Sequence, residues 1–252
     1  LSRRQRQMCI RDRVLQMQKI ARALKAAFPC TIPVLVGYLF IGVAFGMLFE
    51  EKGYAFFWAL LMSATVYAGS LQFIAVNFFA PGVSLINVAL MALMVNVRHV
   101  FYGLSMLDKF QGMGAKKPYM IFSLTDETYS LLCAIKTPEG VDRNWFFFLI
   151  ALLNQCYWVA GSVIGAVAGA LLSFDSTGID FAMTALFTVI FTEQWLTSKN
   201  HLPALVGVAA TVACRVLFGV EAFLLPAMLT ILAGMLFFRR PIENGFEKEG
   251  EA

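Results

Sequence analysis

One stretch constrains this chain more than any other. Asn96-Val97-Arg98-His99-Val100-Phe101-Tyr102-Gly103 lies inside an apolar run from about Val83 to Leu107. A helix crosses a bilayer with roughly 20 apolar residues, so this run is long enough to span one. In lipid every backbone N–H and C=O must find its partner inside the chain, which leaves helices and closed barrels as spanning structures. An arginine deep in such a run costs about 3 kcal/mol on insertion scales. It escapes by facing the protein interior or a water-filled cavity, by capping a neighbouring helix end, or by snorkelling to the interface. At about 100° per residue, Asn87, Met94, Arg98, Tyr102 and Ser105 share one helix face, and Asn96, His99 and Gly103 share another. A helix polar on two sides is expected to be enclosed by other helices rather than bathed in lipid.

Composition fixes the class. Hydrophobic residues make up 59% of the 252 and charged residues only 14%, with a mean hydropathy of +0.71. A soluble domain of this length needs a more polar surface. The ten-residue alternating segments of a β-barrel are missing. The fold class expected is therefore all-α, a polytopic transmembrane helix bundle of about eight hydrophobic segments, or seven if 119–135 does not cross. The net charge of +4 reflects basic ends and loops, as membrane insertion explains, and no nucleic-acid partner is expected. Cys9, Cys30, Cys133, Cys156 and Cys214 are scattered, without CxxC or His-rich pairing. They read as small apolar residues, so neither metal nor other cofactor is expected.

Residues 1–16 begin LSRRQRQMCIRDR, charged and without helical periodicity. They resemble translated adapter read-through, which would place the native start at Met17; the alternative is a genuine basic arm. Residues 17–238 read as a single integral membrane transport domain, and 239–252 as a polar cytoplasmic tail. Lys19, Arg22 and Lys25 make a basic lead-in.

Segment one, 28–49, carries Pro29 and Pro33 in what reads as its first turns, and Gly42 and Gly46 as a close-packing pair. Segment two, 54–79, contains Tyr67-Ala68-Gly69-Ser70-Leu71-Gln72-Phe73. Its Gly-Ser pair is either a mid-membrane helix break of the kind transporter sites use or a packing notch in a continuous helix. Segment three is the run around Arg98. In segment four, 119–135, Ser123, Asp126, Glu127 and Ser130 stand at i, i+3, i+4 and i+7 and so form one stripe. Their acids are read either as partners for Arg98 and proton handlers or as the wet face of a surface helix. Segment five, 145–172, holds Asn154-Gln155 and the repeated small residues Gly161, Gly165 and Gly169. Segment six, 181–197, ends near Glu193 and Gln194. Segments seven, 202–217, and eight, 221–238, complete the set, and Arg239 and Arg240 stop the last.

With the amino terminus inside, eight crossings satisfy the positive-inside rule except at Lys109, Lys116 and Lys117, which fall outside. Seven crossings would suit an inverted repeat but strand Arg239 and Arg240.

Pro33 with Gly37-Tyr38, Gly42-Val43-Ala44-Phe45-Gly46, Tyr67 to Phe73, Asn96-Val97-Arg98-His99 with Tyr102-Gly103, and Leu124-Thr125-Asp126-Glu127 together resemble the AzlC family. These are large subunits of bacterial branched-chain amino acid exporters. The likeness runs from about Ala26 to Phe238. It implies export of valine, leucine, isoleucine or analogues such as azaleucine, location in the bacterial inner membrane, and a small membrane partner of the AzlD type.

An amino acid substrate needs a carboxylate site, an ammonium site and an apolar pocket. Gly69 and Ser70 are assigned to the carboxylate, and Tyr67, Gln72 and Asn96 to the ammonium. Phe45 and Phe73 are assigned to the pocket. Arg98 is expected to pair with Asp126 or Glu127, at a cost of about 3–5 kcal/mol when one partner is removed. His99, with Asp126 and Glu127, is the expected proton-coupling set. At least one of the small-residue faces of segments one and five is expected to contact the partner subunit. A hydrolase is disfavoured because Ser70 stands in Ala-Gly-Ser-Leu rather than GxSxG, and no HExxH occurs. The remaining alternative is a transporter or channel for another small solute or ion.

Overall fold

The computed structural model describes residues 3–79, 84–171, 181, 184–185, 188–189, 191–192, 195–196 and 200–238. These residues are helical apart from short connections, with no strand among them. Four of the described helices are long and apolar enough to cross a membrane by length and composition: Arg13–Glu51, Leu85–Ser105, Arg143–Leu171 and Leu202–Gly219. Glu193, Gln194, Lys199, the acidic turn at 175–180 and the basic tail lie outside the described residues.

Contacts divide the described chain into two units. The first holds the described residues of 3–84 and 95–171; the second holds 85–94 and those of 181–238.

In the first unit α1, Arg3–Glu51, is a single helix. Pro29 and Pro33 are therefore interior, not first-turn as the sequence suggested, because the helix starts far upstream. Each proline leaves a carbonyl four residues back without its N–H. Close by, the Thr31 hydroxyl donates to the Phe28 carbonyl at 2.9 Å. Ala23, Ala27, Thr31, Tyr38, Phe45 and Phe49 are buried at helical spacing. They face α7, Arg143–Leu171.

The two helices run parallel and touch through their glycines. Gly42 lies on Gly161, Gly46 on Gly165, and Gly169 on Glu50. A Cβ on Gly46 would strike the Ser162 carbonyl oxygen, and one on Gly165 the Val43 carbonyl oxygen. The small-residue faces of segments one and five thus pack on each other. Only residues without a Cβ allow two backbones this close.

The second segment does not continue as one helix. α2, Phe56–Thr65, stops, and α3, Gly69–Ala75, starts anew. Between them Tyr67 has φ +41°, a left-handed conformation that costs a non-glycine residue about 1 kcal/mol or more. A continuous helix would put Tyr54 and Phe79 about 37 Å apart. Instead their ring centroids are 5.1 Å apart, and Gln72 Nε2 donates to Ser63 Oγ at 3.1 Å. The segment is a hairpin that leaves and returns to the Glu50 end, here the far end.

The fourth segment does the same from the other side. α5, Lys117–Phe122, and α6, Asp126–Ala134, are separated by buried Ser123, Leu124 and Thr125. The Thr125 side chain caps α6 by accepting from Thr128 N, which ends the single stripe that spacing suggested across 123–130. Before it, α4 is Leu85–Ser105. Lys109 Nζ donates to the Leu132 carbonyl at 3.0 Å, and Arg143 Nη2 donates to the Lys109 carbonyl at 3.1 Å. Both ends of the α5–α6 hairpin therefore meet at one end, where Met106, Phe110, Met113 and Phe146 pack on Ala23 and Ala27. This is the near end.

In the second unit α8, Leu202–Ala222, and α9, Leu224–Phe237, pack antiparallel. Gly219, at φ +76°, kinks α8, and Cys214 Sγ lies 3.6 Å from Thr230 Oγ1.

Candidate functional site

The tips of the two hairpins carry non-helical backbone, which membrane depth tolerates only where protein or a cavity surrounds it. Here protein does. Tyr67, Ala68, Ser123, Leu124 and Thr125 are all buried. Gln155 of α7 donates to the freed Ala64 carbonyl at 3.0 Å, and its own carbonyl takes the Tyr119 hydroxyl at 2.6 Å.

Arg98 on α4 holds both tips. One guanidinium nitrogen donates to Ser70 Oγ at the start of α3. The other lies 3.0 Å from Asp126 Oδ2 at the start of α6. The two side chains are 37% and 36% exposed, so the pair borders accessible space. Among the described residues, Arg98 Nε and Asp126 Oδ1 are buried atoms with no hydrogen-bond partner.

Glu127 takes a different partner. The Tyr38 hydroxyl of α1 donates to its Oε2 at 2.7 Å and lies 2.6 Å from Thr125 Oγ1. Thr125 Oγ1 donates to Thr128 Oγ1 at 3.0 Å, and Asn154 Nδ2 of α7 donates to the same hydroxyl at 3.0 Å. Among the described residues, the Tyr67 hydroxyl and Asn154 Oδ1, both buried, have no hydrogen-bond partner.

The other expected residues sort by distance from this cluster. Gln72, fully buried, gives its N–H to Ser63 and accepts from Trp158 Nε1 at 2.8 Å. It ties α3 to α2 and α7. Gly69 lets the Trp158 ring approach; a Cβ there would lie 3.1 Å from Cη2. His99 Nδ1 lies 3.2 Å from the Asn96 carbonyl one turn back, and its ring meets Tyr102 edge-on. Asn96 Oδ1 is buried with no hydrogen-bond partner among the described residues. Phe45 and Phe73 fill a closed aromatic core with Phe49 and Trp158 rather than line an open pocket. A cavity of about 460 Å³ opens at the far end, between Tyr54, Phe56, Val167 and Leu171, and none of the expected site residues lines it.

Sequence reasoning left Tyr38, Thr125, Thr128, Asn154 and Trp158 without a role. One signal was readable: Thr125 followed by two acids is an N-cap with a first turn that complements the helix dipole.

The comparisons decide the family. The model of the AzlC protein family matches residues 33–172. The chain is 45% identical over 226 residues to the branched-chain amino acid transport protein AzlC of Bacillus subtilis strain 168, covering 90% of this chain and 89% of that one. This protein belongs to the AzlC family. Another relative is an uncharacterized membrane protein of Helicobacter pylori strain 26695, 43% identical over 227 residues and covering 90% of this chain and all of that one. The inner membrane protein YgaZ of Escherichia coli K12 is 30% identical over 210 residues, covering 82% and 84%. No solved structure matches. The AzlC match spans α4, α7 and both hairpins, so Ser70, Arg98, Asp126 and Glu127 all lie within it.

Proposed function

We propose that this protein exports branched-chain amino acids and analogues across a bacterial inner membrane. It would do so as a multi-pass carrier coupled to proton entry and working with a small AzlD-type subunit. The observation that carries the reading is the meeting of two broken helical hairpins at Arg98. Broken helices at membrane depth supply polar groups to a solute that a continuous helix would withhold. The substrate class rests on the Bacillus relative's name. In this reading Ser70 and Arg98 receive the substrate carboxylate, which displaces Asp126 from the guanidinium. Apolar burial, at about 0.8 kcal/mol per methylene, favours leucine over alanine and separates leucine, isoleucine and valine poorly.

The proton role falls to Glu127. Asp126 is held by Arg98, and His99 contacts its own helix. The near end gathers Lys109, Lys116, Lys117, Lys136 and Arg143 against Lys52 beside Glu50 and Glu51 at the far end, which supports a cytoplasmic near end.

The test is leucine efflux from loaded cells and proteoliposomes, with and without the partner subunit. Saturable leucine and valine efflux that slows when the pH gradient is collapsed is expected. Unchanged efflux in the absence of the protein, or passive ion flux through it, rejects the reading.

A further inference from the structure

We propose that Glu127, Tyr67 and Asn154 form a receptor for a primary ammonium group, the ammonium end of the transported solute. The proposal rests on the amino acid reading above and deepens it. These three side chains come from the α6 amino terminus, the α2–α3 break and α7. They surround the hydroxyls of Tyr38, Thr125 and Thr128.

Tyr38 gives its proton to Glu127, and Thr125 gives its proton to Thr128. Thr128 Oγ1 also accepts from Asn154 Nδ2, which fixes that amide with Oδ1 turned away from the bond. The Tyr67 hydroxyl lies beside those of Thr128 and Tyr38, but among the described residues none meets it in full hydrogen-bond geometry. Among the described residues, two oxygens, Tyr67 Oη at a 3% exposed residue and Asn154 Oδ1 at a fully buried one, have no hydrogen-bond partner. Among the described residues no cation forms an ion pair with Glu127; the Arg98 guanidinium lies on Asp126.

Buried unpaired acceptors destabilise a fold unless a donor completes them. An ammonium has three N–H donors and no acceptor. That number matches the carboxylate, the phenol oxygen and the amide oxygen, and its charge matches the single carboxylate. Water carries two donors and no charge. Asp126 and Glu127 are neighbours in sequence. The guanidinium that would bind a carboxylate and the acceptors that would bind an ammonium therefore flank one helix start, as a zwitterion requires.

The test uses the full-length protein in lipid nanodiscs and 3-methylbutylamine, which carries the ammonium and the branched chain but no carboxylate. Wild type is expected to bind the amine. Glu127→Gln is expected to weaken binding by tenfold or more with its melting temperature retained, and Tyr67→Phe by severalfold. Equal amine affinity in wild type and Glu127→Gln overturns the proposal. If Glu127→Gln does not fold, Tyr67→Phe decides, and unchanged affinity there overturns it. Sodium chloride that displaces the amine in place of an equal concentration of choline chloride makes the cluster an inorganic cation site, which also overturns it. Leucine transport is scored separately. Glu127-dependent amine binding without leucine transport leaves the ammonium site standing and rejects the branched-chain reading.

Discussion

Arg98 shows how exposure sets the worth of a charge. A fully buried arginine stripped of its carboxylate would cost about 3–5 kcal/mol. This guanidinium and Asp126 are each about one-third exposed, so water screens part of the loss, and coupling of about 1–2 kcal/mol is expected. A double-mutant cycle of Arg98→Ala and Asp126→Ala, read by thermal unfolding in detergent, should return that value. The charge-exchanged pair Arg98→Asp with Asp126→Arg should recover part of the abundance lost in either single change. No coupling would mean that Arg98 is held by Ser70 alone. Glu127 pairs instead with Tyr38, a partner no spacing rule could supply, since 89 residues separate them.

Among the elements, α1 and α7 depend most on single atoms. Gly165 has the Val43 backbone where a Cβ would sit, whereas Gly37, on the same α1 helix as Gly42 and Gly46, has nothing within 4 Å. Backbone cannot yield as a flexible side chain can. Gly165→Ala should therefore destabilise by about 2 kcal/mol or more, as overpacking does. Gly37→Ala should be neutral or stabilise by up to about 1 kcal/mol through helix propensity. Melting temperatures of the two purified variants check this, and equal shifts would show that the helices are not in contact through glycine. The hairpins follow another logic. They break where polar backbone can be capped: Gln155 on the Ala64 carbonyl and Thr125 on the Thr128 amide.

For the whole first unit, two returning hairpins change which loops share a side of the membrane. If 117–134 returned to the near end, the loops around Gln111 and Glu139 would lie on one side, and Gly53 on the other. Eight successive crossings would instead separate Gln111 from Glu139. Cysteines introduced at Gln111, Glu139 and Gly53 in a cysteine-free background, probed with a membrane-impermeant maleimide, distinguish the two. Gln111→Cys and Glu139→Cys should label from the same side, and Gly53→Cys from the opposite one. This arrangement also places Lys109, Lys116 and Lys117 with the other basic loops, which removes the exception to the positive-inside rule.

The sequence by itself determined the helical membrane class, because apolar runs this long leave lipid as the only solvent they suit. It also marked Ser70, Arg98, Asp126 and Glu127 as residues whose polarity needs an explanation, and, through ordered motifs, the family. What the tertiary structure decided was where apolar runs turn back. A run of 25 apolar residues reads the same whether it crosses or folds on itself. The difference lies in long-range contacts, such as Tyr54 with Phe79 and Lys109 with Leu132. Pairing was decided there too. Spacing places residues on a face of their own helix, but which carboxylate meets Arg98 and which meets Tyr38 depends on how separate helices pack.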